Sequence, residues 1–121
     1  MTEPTRTLPP RHRLRKPAEF RGVFADPCRV SGSGFTLLAR PNGLGHARLG
    51  LAIAKRHVRT AVARNRVKRQ VRETFRLQQQ RLAGLDVVVL ARAGLASGDR
   101  AALRSALERQ WRRLAERCGV S

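Results

Sequence analysis

The run 85-LDVVVLAR-92 constrains the fold more than any other stretch of this sequence. It is short, almost wholly apolar and rich in β-branched residues, which suits a central strand covered on both faces. Such a strand needs neighbours on either side and layers above and below. The segments 35-FTLLAR-40 and 47-ARLGLAIA-54 read as two more strands. Between them, 41-PNGLGH-46 has the Pro, Asn and Gly chemistry of a turn, so an antiparallel hairpin is expected. In the second of these strands Leu49, Leu51 and Ile53 share one face, and Gly50, Ala52 and Ala54 share the other. That small face would admit either a closely packed helix or a ligand.

Helices supply the layers. Phe20, Val23 and Phe24 put an apolar face on a helix over residues 17–25, with Pro17 in its first turn and Asp26-Pro27 ending it. A long helix is expected over residues 60–82, stopped by Gly84. A last helix over residues 100–117 would start at Asp99 as N-cap and carry the stripe Leu103, Leu107, Trp111 and Leu114. The order α-β-β-α-β-α, with room for one further short strand, is that of an α+β two-layer sandwich. Residues 1–13 read as a flexible, basic, Pro-rich arm, and residues 14–121 as a single domain.

Charge narrows the function. The chain has 26 Lys and Arg against 8 Asp and Glu, a formal +18, and only Lys16, Lys55 and Lys68 of the bases are lysine. Such an excess calls for a polyanion, with nucleic acid the first candidate. No apolar run reaches the ~20 residues of a membrane span, and the N-terminus lacks the apolar core of a secretory signal. A cytoplasmic location is therefore expected. Cys28 and Cys118 are far apart in sequence and are expected as free thiols. The histidines show no metal-ligand spacing, and no nucleophile is paired with a base, so no catalytic or metal-binding residue is expected in this chain.

The positive charge is densest in 64-RNRVKRQVRETFR-76, which holds five Arg and one Lys. At roughly 100° per residue, Val67, Val71 and Phe75 form a narrow apolar seam, and Arg64, Lys68, Arg72, Asn65, Arg76 and Arg69 spread along one flank. Arg66 lies further round. Glu73, at the far side, is the only acid in the segment. Arginine suits phosphate because its planar fork donates paired hydrogen bonds. Asn65 adds a donor and an acceptor fit for a 2′-hydroxyl, a base edge or a hydrated metal ion.

This helix resembles the Arg-Asn-Arg motif helix of the bacterial ribonuclease P protein subunit. The stretch 49-LGLAIAKRHVRTAVARNR-66 is similar to that family's strand and basic turn entering the helix. Likewise 85-LDVVVLARAGL-95 resembles its final strand, and 14-LRKPAEFRGVF-24 its first helix. The resemblance covers about residues 14–117. It implies a sandwich with a left-handed crossover, like the second domain of small-subunit ribosomal protein S5. It also implies partnership, one protein per RNA, with a catalytic RNA that removes the 5′ leader from precursor tRNA using Mg²⁺ held mainly by RNA and substrate. By position, Arg64, Asn65, Arg66, Lys68, Arg69 and Arg72 would face the catalytic RNA, with Lys55 and Arg56 extending that surface. Phe20 and Phe24 would line a cleft for the single-stranded leader. Where some members carry a cleft tyrosine this chain has Leu38, and it has no Tyr at all.

Two other classes compete. A ribosomal or assembly protein could use the same basic helix without belonging to an enzyme. A membrane-surface protein would expose a broad apolar helical face.

Overall fold

A computed structural model of the chain describes residues 8–92, 95 and 99–119. It contains strands β1 (Cys28–Gly32), β2 (Phe35–Pro41), β3 (Arg48–Ala52) and β4 (Leu85–Ala91), and helices α1 (Pro17–Ala25), α2 (Ala61–Leu77) and α3 (Arg100–Cys118). The sheet order is β1-β2-β4-β3, so the apolar run does take a central place. Val87 and Val89 point into the core shared with α2 and α3, and Val88 into a smaller cluster on the opposite face.

The central placement overturns the expected hairpin. β2 and β3 do not pair: β4 lies between them, antiparallel to β2 and parallel to β3. A strand that apolar cannot be left at an edge, so residues 42–47 reverse the chain and also carry it across the width of β4, leaving β2 and β3 antiparallel but unpaired. Asn42 secures this passage, its Nδ2 donating to Asp86 Oδ1 at 2.9 Å and to the His46 carbonyl at 3.1 Å. The true hairpin is β1–β2, closed by Ser33 and Gly34 at φ 55° and 85°, the positive values that two-residue hairpin turns require. β1 is the further strand. Its single buried residue, Val30, gives an edge strand too weak an apolar pattern to be placed from sequence.

Helix α1 keeps its expected bounds, and Asp99 caps α3 by accepting from the Ala102 amide. Helix α2 is shorter than expected. Thr60 Oγ1 accepts from Ala63 N at 3.0 Å, but the helix stops at Leu77. Three glutamines follow in turns, and buried Leu82 leads to Gly84 at φ 86°. On one face of the sheet α2 and α3 bury Val67, Val71, Phe75, Leu103, Leu107, Trp111 and Leu114. The indole N–H of Trp111 donates to Thr74 Oγ1 at 2.7 Å, and that hydroxyl donates to the Gln70 carbonyl, leaving neither group unmet in the core. On the other face α1 adds a partial third layer to the sandwich, over Leu14, Val23, Leu38 and Val88.

Two further expectations are corrected. Residues 8–13 of the predicted arm are not free: Leu8 and His12 are buried, and His12 Nδ1 meets the Ala47 carbonyl at 2.9 Å. Arg13 bridges Leu49 in parallel fashion, and the Leu14 amide donates to the Leu49 carbonyl at 2.9 Å. This strap covers the outer edge of β3, an edge that would otherwise leave backbone groups unpaired. Residues 1–7 lie outside the described residues. Cys28 and Cys118 are joined in a disulfide, with their Cα atoms 5.9 Å apart. Helix α3 ends beside β1, so 90 residues of sequence separation conceal a spatial contact.

Candidate nucleic-acid interface

The chain leaves β3 through a turn in which the Ala54 carbonyl accepts from the amides of His57 and Val58, both at 3.1 Å. Lys55 and Arg56 are exposed on that turn. Arg64, one turn into α2, reaches back to it: its Nη1 donates to the carbonyls of Val58 and Arg59, each at 3.0 Å. Arg64 therefore fastens the turn to the helix, and both of its acceptors are backbone carbonyls rather than carboxylates.

Beyond Arg64 the basic residues divide between two hollows. Asn65, Arg66 and Arg69 line a depression of about 270 Å³ with Val62, Gln70 and Arg100 of α3. Arg72 turns the other way, into a cleft of about 180 Å³ along the β3 edge, where it meets Arg13, Leu14, Phe20, Gly50 and Leu51. Burial first, and then the neighbouring Arg13 charge, push the Arg72 guanidinium below its ordinary value. The predicted motif residues thus do not share a single flat surface. Lys68 is half-buried between the two groups.

The cleft floor explains the small face of β3. A Cβ on Gly50 would stand 2.5 Å from Phe20 Cε1 and 2.7 Å from its Cζ. Only glycine lets the ring lie against the strand, so close helix packing accounts for this position. Phe20 remains half-buried, with part of its ring at the cleft. Phe24 is 46% exposed one turn further along α1 and does not line that cleft. Leu38 does not either: it is 3% exposed and packs beneath α1 with Val23 and Val88. Its position on the strand register opposite Val88 makes it a core residue, so no leader contact is left to it.

Residues 8–115 match the family model described as Ribonuclease P. The chain is 53% identical over 114 residues to the ribonuclease P protein component of Methylococcus capsulatus, covering 94% of this chain and 89% of that one. The chain belongs to the ribonuclease P protein family. Solved structures agree with this. The RNase P protein of Staphylococcus aureus superposes with a TM-score of 0.77 at 26% identity, covering 88% of this chain and 96% of that one. That of Thermotoga maritima gives 0.73 at 31%, covering 84% and 96%.

In this family member Glu19, Asp86, Glu73 and Glu108 are paired with arginines outside the motif. Arg48 is gripped by two carboxylates: Nε and Nη2 donate to Asp86 at 2.8 and 2.7 Å, and Nη1 to Glu19 at 2.9 Å. The hydrogen bonds from Arg48 to Asp86 outweigh burial and raise its guanidinium above the usual range. Glu19 also accepts from the Lys16 and Arg15 amides, and these contacts, ahead of the Arg48 charge, hold its carboxyl below the usual range. Glu73 and Glu108 both turn to Arg104. None of these ion pairs involves Arg64, Lys68, Arg69 or Arg72. Among the described residues no three His, Cys, Asp or Glu side chains gather to hold a metal ion.

Sequence reasoning missed Arg13 and the Glu19–Arg48–Asp86 cluster. Arg13 was hidden by its place in a stretch expected to be a flexible arm. Asp86 did carry a signal, as the lone charge inside an otherwise apolar strand.

Proposed function

We propose that this chain is the protein subunit of ribonuclease P, one copy joining a catalytic RNA to remove the 5′ leader of precursor tRNA in the cytoplasm. The basic turn and the exposed flank of α2 contact the catalytic RNA, through Lys55, Arg56, Asn65, Arg66, Lys68 and Arg69. The β3-edge cleft takes the leader, with Arg72 near its phosphates and Phe20 against a base or ribose. Phe24 extends this surface along α1. Stacking on such a ring is worth roughly 1–3 kcal/mol per base and does not read sequence, which suits leaders that differ between tRNAs. The chemistry belongs to the RNA. In this reading the Mg²⁺ that supports phosphodiester hydrolysis is held mainly by RNA and substrate.

The observation that carries the reading is the series Arg64, Lys68, Arg69 and Arg72 on α2, with no carboxylate partner among the described residues, ending at an aromatic-lined cleft. Against a membrane-surface role, the apolar seam Val67, Val71 and Phe75 of α2 is fully buried, and no described helix is long and apolar enough to cross a membrane. The test is reconstitution with a catalytic RNA from a related bacterium. The holoenzyme should cleave precursor tRNA at low Mg²⁺ and bind it more tightly than mature tRNA. Equal affinity for both would remove the cleft assignment. Lys68→Ala with Arg69→Ala should flatten the salt dependence of RNA binding by roughly 0.7–0.9 log unit for each phosphate no longer engaged.

A further inference from the structure

On the far side of Arg13 from the leader cleft lies a second hollow, of about 280 Å³, lined by Arg11, Arg13, Arg15, Lys16, His46 and Arg48, with Glu19, Pro10 and Leu44. Arg13 lines both hollows. The cleft uses Gly50 and Leu51 of β3 and the second hollow uses Arg48, so the two follow each other within roughly 10 Å along one strand, at about 3.3 Å per residue.

Charge makes this basin distinctive. Its one acid, Glu19, already holds Arg48 and two backbone amides. Arg11, Arg13, Arg15 and Lys16 are exposed and form no ion pair among the described residues. Four unneutralised cations on six consecutive residues repel one another unless an anion lies among them. The backbone beneath them is held rather than loose: the Arg11 carbonyl meets His46 Nε2 at 3.0 Å, and His12 and Leu14 are tied to the chain at Ala47 and Leu49. These cations are therefore presented on a fixed strap. The basin has no aromatic side chain apart from imidazole, so it offers phosphate contacts without stacking.

Direction follows from the topology. The motif end of α2 stands at the C-terminal end of β3, through the turn that Arg64 fastens. Helix α2 then runs back so that Arg72 meets Arg13 at the start of the cleft. Arg64, Lys68 and Arg72 follow one another at about 6 Å per four residues along α2, and Arg13, which Arg72 meets in the cleft, also lines the basin. A strand whose scissile end lies near the motif would leave the cleft at the basin.

We propose that this basin is a second subsite for single-stranded RNA, holding the phosphates of leader nucleotides farther from the cleavage site than those in the cleft. The inference rests on the cleft binding the leader. Its ligand is the sugar–phosphate backbone, so it should be indifferent to sequence and sensitive to leader length and salt.

The test uses the full chain reconstituted with catalytic RNA, and precursor tRNAs whose leaders are lengthened stepwise from a few nucleotides. With the native chain, affinity should rise with length in two stages, cleft first and basin second. Combining Arg11→Ala, Arg15→Ala and Lys16→Ala should abolish the second stage only. It should flatten the salt dependence for long leaders by roughly 2, at about 0.7 per single-strand phosphate engaged, and leave short leaders unchanged. Arg11→Lys with Arg15→Lys should retain the second stage, because the contact needs charge rather than a guanidinium fork. Equal weakening for mature tRNA and for every leader length would assign these cations to the catalytic RNA and overturn the proposal. So would a triple variant that behaves like the native chain. If the native chain itself shows no leader dependence, the cleft reading fails together with this one. If only the first stage survives in the native chain, the basin alone is refuted. Unchanged thermal melts would show that the variants fold.

Discussion

Beneath α2 and α3 the sheet buries Val67, Val71, Phe75, Leu107 and Trp111 completely, whereas beneath α1 the cluster is four buried residues and a half-open Phe20. One face carries most of the apolar burial that stabilises the domain. The other carries a glycine floor, an aromatic ring and two arginines brought together against their mutual repulsion. The lesson is a division of labour between the two sides of a single sheet. Helix α2 belongs to both sides, since its seam faces the large core while Arg72 reaches the cleft at the β3 edge.

The division can be broken from the large core first. Val71→Asp would bury an unpaired carboxylate and should cost at least about 4 kcal/mol, seen as loss of the cooperative urea transition. A folded Val71→Asp protein would show that the core does not carry the fold. Next in size is the disulfide. Cys118→Ser, or reduction, should lower stability by on the order of 2–5 kcal/mol through loss of a long closed loop. RNA binding by the molecules that remain folded should be unaltered, because Cys28 and Cys118 lie outside both the cleft and the α2 hollow.

Gly50→Ala sharpens the comparison on the thin side. Its methyl would collide with Phe20, costing roughly 1–3 kcal/mol of overpacking, and discrimination between precursor and mature tRNA should fall more than affinity for catalytic RNA. Preserved discrimination would mean that the ring position is not used. The smallest effect is expected at Glu19. Its carboxyl titrates lower in the folded protein than in the unfolded chain. Its stabilising contribution is therefore complete above the ordinary carboxylate value, about 4.3, and is lost as pH falls through that value toward the folded one. Comparing acid unfolding of Glu19→Gln with the native chain should reveal a difference of at most about 1 kcal/mol near neutrality, as the pair lies close to solvent.

Much of the architecture could be read directly from periodicity. Pro17–Ala25, the Asp99 cap and the Leu103–Trp111 stripe follow from spacing within a single helix, and the central place of β4 follows from its unbroken apolar run. What escaped were relations between distant segments. Pro-Asn-Gly chemistry at residues 41–43 signals a change of direction, but not whether the next strand pairs with the last or passes over another. Cys28 and Cys118 meet because α3 docks on β1, a tertiary fact with no local signature. Leu8 and His12 sit in a proline-rich, charged stretch that looks solvated until the β3 edge offers it partners. For the interface, the residue types were legible and their grouping was not. The helical wheel put Arg64 and Arg72 on one flank, but only the fold shows that Arg64 also serves the turn and that Arg72 shares a cleft with Arg13.

The bond between β1 and the end of α3 turns residues 28–118 into a covalent ring, from which the strap and α1 emerge as a tail. A protease cut inside that ring would leave two fragments that still migrate together until a reductant parts them. A cut between Asp26 and Cys28 would release the cleft wall alone and spare the ring. Limited proteolysis on paired reducing and non-reducing gels could therefore count, cut by cut, how often the wall lifts from the sheet.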